Sequence, residues 1–163
     1  AAMSQVIAEA LENLHTVTAE LRPVILDDFG LAAAIEWQAE EFARRTGIAC
    51  RMEPAGNEPD LPKDLATALF RVFQETLTNI LRHAQASEVS IRLEIEDDDL
   101  ILEIVDNGRG ISAEEIENPR SFGLIGIRER LYPWKGRVAF EGRPGQGTHV
   151  SVRLPMPMKG ALS

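Results

Sequence analysis

Apolar positions along this chain change period several times, and each change marks an element. From about Ser4 to Leu21, the residues Val6, Ile7, Ala10, Leu11, Leu14, Val17 and Leu21 recur in a heptad-like stripe, which predicts a helix suited to pairing with another helix. Pro23 stops it, and Leu26-Asp27-Asp28-Phe29-Gly30 reads as a connector. A second helix is predicted from about Leu31 to Arg45, with Gly47 as its C-terminal cap. Ile48 to Met52 reads as a short strand and Pro54 to Pro62 as a loop; Pro62 then opens a long helix over about Lys63 to Ala84. Val89 to Glu96 alternates at period two, Asp97-Asp98-Asp99 turns the chain, and Leu100 to Val105 returns, which predicts an antiparallel hairpin. A polar stretch reaches Ser121, a short helix covers about Ile125 to Leu131, and Arg137 to Glu141 with Thr148 to Pro155 forms a last hairpin. Strands in hairpins with helices between them imply an α+β fold. The expected form is a two-layer α/β sandwich whose mixed sheet is mostly antiparallel, with helices on one face.

The long helix carries the first chemistry. Glu75, Asn79, Arg82 and His83 are spaced i, i+4, i+7 and i+8, so at about 100° per residue they share one sector of roughly 100°. Leu65, Leu69, Val72, Phe73, Thr76, Leu77 and Ile80 fill the neighbouring arc and can pack on a sheet. A carboxylate, an amide and two basic groups beside an apolar face suit a Mg²⁺–polyphosphate site, with the amide as a hard oxygen ligand and the cations facing phosphates. Taken alone, the same residues also suit an ordinary solvated helix face.

Three glycine clusters follow. Asp106-Asn107-Gly108-Arg109-Gly110 closes a strand and with Ala113 imitates the Gly-x-Gly-x-x-Ala dinucleotide turn. That reading fails because no strand follows until about Arg137, and because Asp106 would stand beside a pyrophosphate. Like charges about 4 Å apart cost about 4 kcal/mol at an effective dielectric near 20. A carboxylate at a pocket floor instead suits an adenine amino group, with glycines that let backbone approach a flat base; an Asn-Gly turn merely closing a strand is the alternative. Ser121-Phe122-Gly123-Leu124-Ile125-Gly126-Ile127-Arg128 leads into a helix whose amides and dipole favour phosphate. The polar stretch from Ile111 to Arg120 is placed to fold over a ligand as a flap. Gly145-Gln146-Gly147-Thr148 suits a hairpin turn, with Thr148 able to share a water with adenine and Asp106. The P-loop pattern is absent.

Composition narrows the classes. The 163 residues suit one domain plus an appended element, and 44% apolar with 26% charged residues is ordinary for a globular chain. A formal charge of −9 argues against a non-specific nucleic-acid binder, yet Mg²⁺ and local arginines can admit an anionic nucleotide. The single cysteine, Cys50, permits no internal disulfide and is expected to be a buried, inert thiol of a reducing compartment. No run approaches the length of a membrane span and no signal peptide is seen. Ala1-Ala2-Met3 reads as a scar or a cut within a longer protein, so a cytoplasmic domain is expected, with an inner-membrane sensor as the candidate parent.

In one order, Glu75/Asn79/Arg82/His83, Asp106-x-Gly-x-Gly110, Gly123-Leu-x-Gly126 and Gly145-x-Gly-Thr148 resemble the N box and three glycine boxes of the GHKL ATPase superfamily. Leu21-Arg22-Pro23, Leu26-Asp27, Gly30-Leu31, Gln74-Glu75, Arg82-His83-Ala84 and Gly126-Ile127-Arg128-Glu129-Arg130 are similar to phrases of sensor histidine kinases of the nitrate-sensor and DesK-like subfamily. The resemblance runs from about Leu21 to Pro155 and implies a Bergerat ATP-binding fold. It implies that Asn79 ligates Mg²⁺ on the triphosphate of ATP, and that Glu75 supports that ion and its water or acts as a base. It implies that Arg82 and His83 contact phosphates, and that Asp106 and Thr148 hold adenine, with Gly108 and Ile111 beside them. Gly110, Gly123, Leu124 and Gly126 would then bound the lid. The implied layout is a dimerisation helix over 1–22, a linker over 23–30, a catalytic domain over 31–158 and a tail over 159–163.

The chain departs from the family in two places. His15 is followed by Thr16 and Val17 rather than an acid, so the phosphoacceptor histidine is expected elsewhere in the intact protein; Leu131-Tyr132-Pro133-Trp134 is unusual at a helix end. The expected function is presentation of the ATP γ-phosphate to that histidine within a homodimer, for relay to a response regulator. Nucleic acid is not an expected partner, and the membrane is expected only through parts outside this chain. The alternative is a nucleotide-gated protein-serine kinase of the anti-sigma-factor kind.

Overall fold

A computed structural model describes residues 24–56 and 60–156, together with Met3 and Val6. The helix expected from Ser4 to Leu21 and His15 lie outside the described residues. Helix α1 (Val24–Thr46) begins one element earlier than the periodicity suggests, because the connector is itself helical and Gly30, at φ 88° and ψ −178°, kinks the helix there. Glycine tolerates that positive φ without the Cβ penalty. After the kink Leu31, Ala34, Ile35, Ala39 and Phe42 face inward. Gly47 follows at φ +77° and donates its amide to the Ala43 carbonyl at 2.9 Å, as a glycine past a helix end does.

Helix α2 (Lys63–Asn79) buries Leu65, Leu69, Phe70, Val72, Phe73 and Leu77. It does not run on to Ala84 as an α-helix: Ile80–Ala84 is a π-turn, closed by Gln85 in the left-handed region at φ 52°. Such turns relax the side-chain period and are frequent at functional sites.

Five strands form one sheet in the order β1-β2-β3-β5-β4: β1 (Ala49–Met52), β2 (Glu88–Glu96), β3 (Asp99–Asp106), β4 (Arg137–Arg143) and β5 (Gly147–Pro155). Only β1–β2 is parallel, so the sheet is mixed and mostly antiparallel as expected. The β2–β3 turn uses Asp97 and Asp98 at φ 51° and 64°, the twist two-residue hairpins favour and acidic residues tolerate.

Register decides which side chains meet the helices. Ile91 pairs Ile104, Leu93 pairs Leu102, and Ile104 pairs Val150, so Leu100, Leu102 and Ile104 of β3 join Val150, Val152 and Leu154 of β5 on one face. That face joins α1, α2 and α4 (Phe122–Leu131) in one core. The sandwich has one helical layer. Between β3 and α4 lies a one-turn helix, α3 (Ala113–Glu117), and Tyr132–Trp134 forms a 3₁₀ turn with Pro133 at its start. Proline suits that position because its missing N–H would be unpaired there anyway. The unusual Leu131 to Gly136 phrase is thus absorbed locally: Lys135, at φ 55°, donates its amide to the Tyr132 carbonyl at 3.1 Å. Burial raises the Cys50 thiol to about 11, which keeps it protonated and unreactive at neutral pH.

Candidate functional site

The alternation that builds the core also builds the site. Leu100, Leu102 and Ile104 are followed at the next inward position by Asp106, which is 4% exposed. On β5 the inward row Leu154, Val152, Val150 ends in Thr148. The inner face therefore turns polar at one end, where a carboxylate replaces the next apolar residue. Asp106 Oδ1 accepts the backbone amides of Gly108 (2.8 Å) and Thr148 (3.4 Å). Among the described residues no donor falls on Oδ2. Burial pushes the Asp106 carboxyl above its ordinary range, and the two amides offset part of that rise.

A cavity of about 470 Å³ opens here. That volume is typical of a small-molecule site. Glu75, Asn79, Arg82 and His83 enter from α2 and its π-turn; Asp106, Gly110 and Ile111 from the end of β3; Gly123 and Leu124 from α4; and Thr148 from β5. Ten of the twelve expected residues are brought together. Gly108 and Gly126 do not line this cavity; Gly126 borders a shallower hollow that shares Glu75, Phe122 and Gly123 with it. Apolar walls come from Ile80, Leu124, Ile127, Phe140 and Val150, while Arg109 and Arg120 add positive charge. Arg128 lies 5.3 Å from the centroid of the Phe140 ring, a cation–π contact that braces this wall.

The glycines make close packing of the loops possible. A Cβ at Gly108 would overlap the Ala84 carbonyl, one at Gly110 the Arg143 carbonyl, and one at Gly147 the Asp106 carbonyl. These positions let the loops interlock backbone to backbone. Gly123 is the exception. A Cβ there would lie 2.6 Å from Glu75 Oε1 and 3.2 Å from Asn79 Oδ1, so the bare Cα leaves the carboxylate–amide corner open. Among the described residues no backbone acceptor meets the amides of Gly123 and Leu124 at the start of α4, as is usual for the first turn of a helix.

The lid region is folded in this structure. Ser112 caps α3, with its hydroxyl accepting the Glu115 amide at 3.2 Å and Glu115 Oε2 accepting the Ser112 amide at 2.8 Å. Glu115, Asn118, Arg120, Ser121 and Phe122 all line the cavity. Sequence reasoning singled out none of these five as site residues, although Ser112-Ala113-Glu114-Glu115 is a legible capping box. The Arg109 guanidinium, with the Ser112 amide, lowers the Glu115 carboxyl to about 2.

The pairing of donors fits a magnesium nucleotide. Among the described residues no three His, Cys, Asp or Glu side chains cluster as a metal cage. Asn79 and Glu75 offer two oxygens in one corner. Magnesium typically takes one or two protein oxygens and fills its octahedron with phosphates and water.

Comparison with known proteins agrees. The family described as "Histidine kinase-, DNA gyrase B-, and HSP90-like ATPase" matches residues 64–158. The chain is 30% identical over 154 residues to the signal transduction histidine-protein kinase/phosphatase DegS of Brevibacillus brevis, covering 94% of this chain and 40% of DegS. It is 31% identical over 148 residues to the sensor histidine kinase MctS of Rhizobium johnstonii, covering 90% of this chain and 32% of MctS. It spans about a third to two fifths of these curated relatives. A solved structure of the blue-light activated histidine kinase of Erythrobacter litoralis EL346 shares the fold, with a TM-score of 0.66 at 22% identity, over 78% of this chain and 42% of that one.

Two predictions test the geometry. Gly145 and Gly147 both have positive φ, but a Cβ at Gly145 meets only open space. Gly145→Ala should cost about 1–2 kcal/mol of left-handed strain. Gly147→Ala should cost at least about 1–3 kcal/mol more from the forced backbone shift. Equal denaturation midpoints for the two variants would contradict the interlock. For Glu115, lowering from 4.5 means that its stabilisation is present above 4.5 and is lost as pH falls towards 2. Carboxyl NMR should give a Glu115 midpoint near 2; a midpoint near 4.5 would mean the Arg109 pairing is not formed in solution.

Proposed function

Because this chain belongs to the histidine kinase-, DNA gyrase B- and HSP90-like ATPase family, we propose that it is the ATP-binding catalytic domain of a sensor histidine kinase. In this reading it holds Mg–ATP and presents the γ-phosphate to a histidine that is not among the residues of this chain. A response regulator then receives the phosphoryl group from that histidine. The observation that carries the reading is the polar end of the inner sheet face, where a buried acid faces a helix bearing an amide and two basic groups.

Each residue then has a task. Asp106 Oδ2 accepts the exocyclic amine of adenine, a donor that relieves a carboxylate otherwise dehydrated by burial. Thr148 fixes Asp106 from the side, while Ile111 and Leu124 enclose the base. Gly108 and Gly110 supply the close backbone packing that sets Asp106 in place. Arg82 and His83 balance phosphate charge, and the amides at the start of α4 add two donors, which Gly123 and Gly126 keep accessible. Asn79, with Glu75 beside it, would hold magnesium, whose chemistry is to neutralise charge on the phosphates. Glu75 is placed to orient the attacking group in line. Phosphoryl transfer asks little covalent chemistry of the protein; positioning and charge stabilisation supply most of the catalysis.

His83 lines the cavity and His149 lies 3.3 Å from Glu103, with neither placed as an acceptor. We place the nucleotide-binding unit at 31–158 and its junction with the preceding segment at the Gly30 kink. A homodimer in the intact protein and a membrane-bound parent belong to the same proposal. Among the described residues no helix is long and apolar enough to cross a membrane.

Calorimetric titration tests this. Wild-type protein should bind ATP more tightly with magnesium than with chelator present, and Asn79→Ala should abolish that difference. Asp106→Asn should weaken ATP roughly ten- to a hundredfold, since a hydrogen bond to a charged group is worth about 1.5–3 kcal/mol. Its effect on stability should run the other way. A carboxyl raised by burial binds more protons folded than unfolded, so stability falls as pH rises from 3.8 through the raised value. Asparagine keeps the Oδ1 acceptor and removes that penalty, so Asp106→Asn should melt no lower than wild type at pH 7. Unchanged ATP affinity in both variants would refute the assignment.

A further inference from the structure

Arg109 lies in a loop whose neighbours the nucleotide reading uses, yet that reading gives Arg109 itself no task. Its hydrogen bonds are out of proportion to a turn residue. The Arg109 amide donates to the Ala84 carbonyl at 2.8 Å and its Nε to the His83 carbonyl at 2.7 Å. Both carbonyls belong to the π-turn, whose end would otherwise leave them unpaired. The other edge of the same guanidinium donates to Glu115 through Nη2 at 2.7 Å and Nη1 at 3.3 Å. Glu115 in turn holds the Ser112 amide, and its carbonyl accepts the Ser121 hydroxyl at 2.7 Å. Ser121 is the residue before α4. A continuous chain of bonds thus runs from the turn carrying Arg82 and His83, through one guanidinium, over α3 and into the start of α4.

We propose that Arg109 is a positioning residue that clamps the lid helix and the π-turn into one unit, so that lid order and the placement of Arg82 and His83 rise and fall together. A planar fork with separated edges holds a backbone carbonyl and a carboxylate at once in fixed geometry, whereas an ammonium, with its three donors on one nitrogen, holds the two less firmly. Lid order therefore sets how long a ligand stays in the cavity, rather than how it is first captured. The last point rests on the nucleotide reading; the coupling itself does not.

Amide hydrogen exchange on the unliganded full chain tests the coupling. Arg109→Gln should speed exchange roughly two- to fivefold, the range expected of a partly exposed ion pair, both at Glu115, Ile116 and Ser121 and at His83 to Gln85. Glu115→Gln, which spares the direct bond to His83, should speed exchange at the lid amides and, more weakly, at His83 to Gln85. Leu102 and Ile104 serve as controls for global unfolding. If Arg109→Gln disturbs them, Arg109→Lys replaces it and should give intermediate acceleration at both segments. Acceleration at only one segment, or at neither, overturns the clamp. In a second arm, trinitrophenyl-ATP should leave Arg109→Gln and Glu115→Gln roughly three- to tenfold faster than wild type, with association unchanged. Equal departure rates overturn the residence role. A wild-type protein that takes up none of the probe refutes the nucleotide reading, and the exchange arm still decides the coupling.

Discussion

Everything at the site depends on one placement: a carboxylate at the end of an apolar row. Leu100, Leu102 and Ile104 point into the core, and strand alternation leaves Asp106 no choice but to follow them. A one-residue slip would send it to solvent and bring Val105 inward. Burial alone would disfavour the charge, and two backbone amides on one oxygen are the partial remedy the fold provides. Among the described residues the second oxygen has no protein donor and faces the cavity.

That placement is held by backbone packing rather than by side chains. The loop after β3 is pinned between the π-turn and the β4–β5 turn, with the Gly145 amide donating to the Arg109 carbonyl at 2.9 Å. Gly108, Gly110, Gly142 and Gly147 are needed there because carbonyls occupy the space a Cβ would take. The motif spacing thus records a steric requirement of the loops on each other, and the ligand benefits at second hand. Gly123 faces Glu75 and Asn79 directly.

Much of this was legible in the sequence because it rests on periodicity. The hairpins, the long amphipathic helix and the convergence of Glu75, Asn79, Arg82 and His83 follow from periods of two and about 3.6. Asp106 and Thr148 were legible through the order of the glycine motifs. The π-turn was not, since a one-residue widening leaves too short a trace in the pattern. Helicity before Gly30 was missed for a related reason: Asp27, Asp28 and Gly30 read as turn residues, whereas only the glycine departs from helix. The flap over Ile111 to Arg120 was legible from its polarity, but Glu115, Asn118 and Arg120 within it and Phe122 after it were not singled out, because a five-residue helix and the turn that follows have no periodicity. The capping box of that helix was the available signal. Arg109 was hidden by its neighbours, since a residue between two glycines draws attention only to the turn.

The most direct measurement is a crystal soaked with magnesium and a non-hydrolysable ATP analogue. The account predicts the adenine amine within hydrogen-bond reach of Asp106 Oδ2 and the phosphates beside Asn79, with α3 closed over them. A purine lodged elsewhere, or Asp106 Oδ2 satisfied by another side chain of the protein, would contradict it.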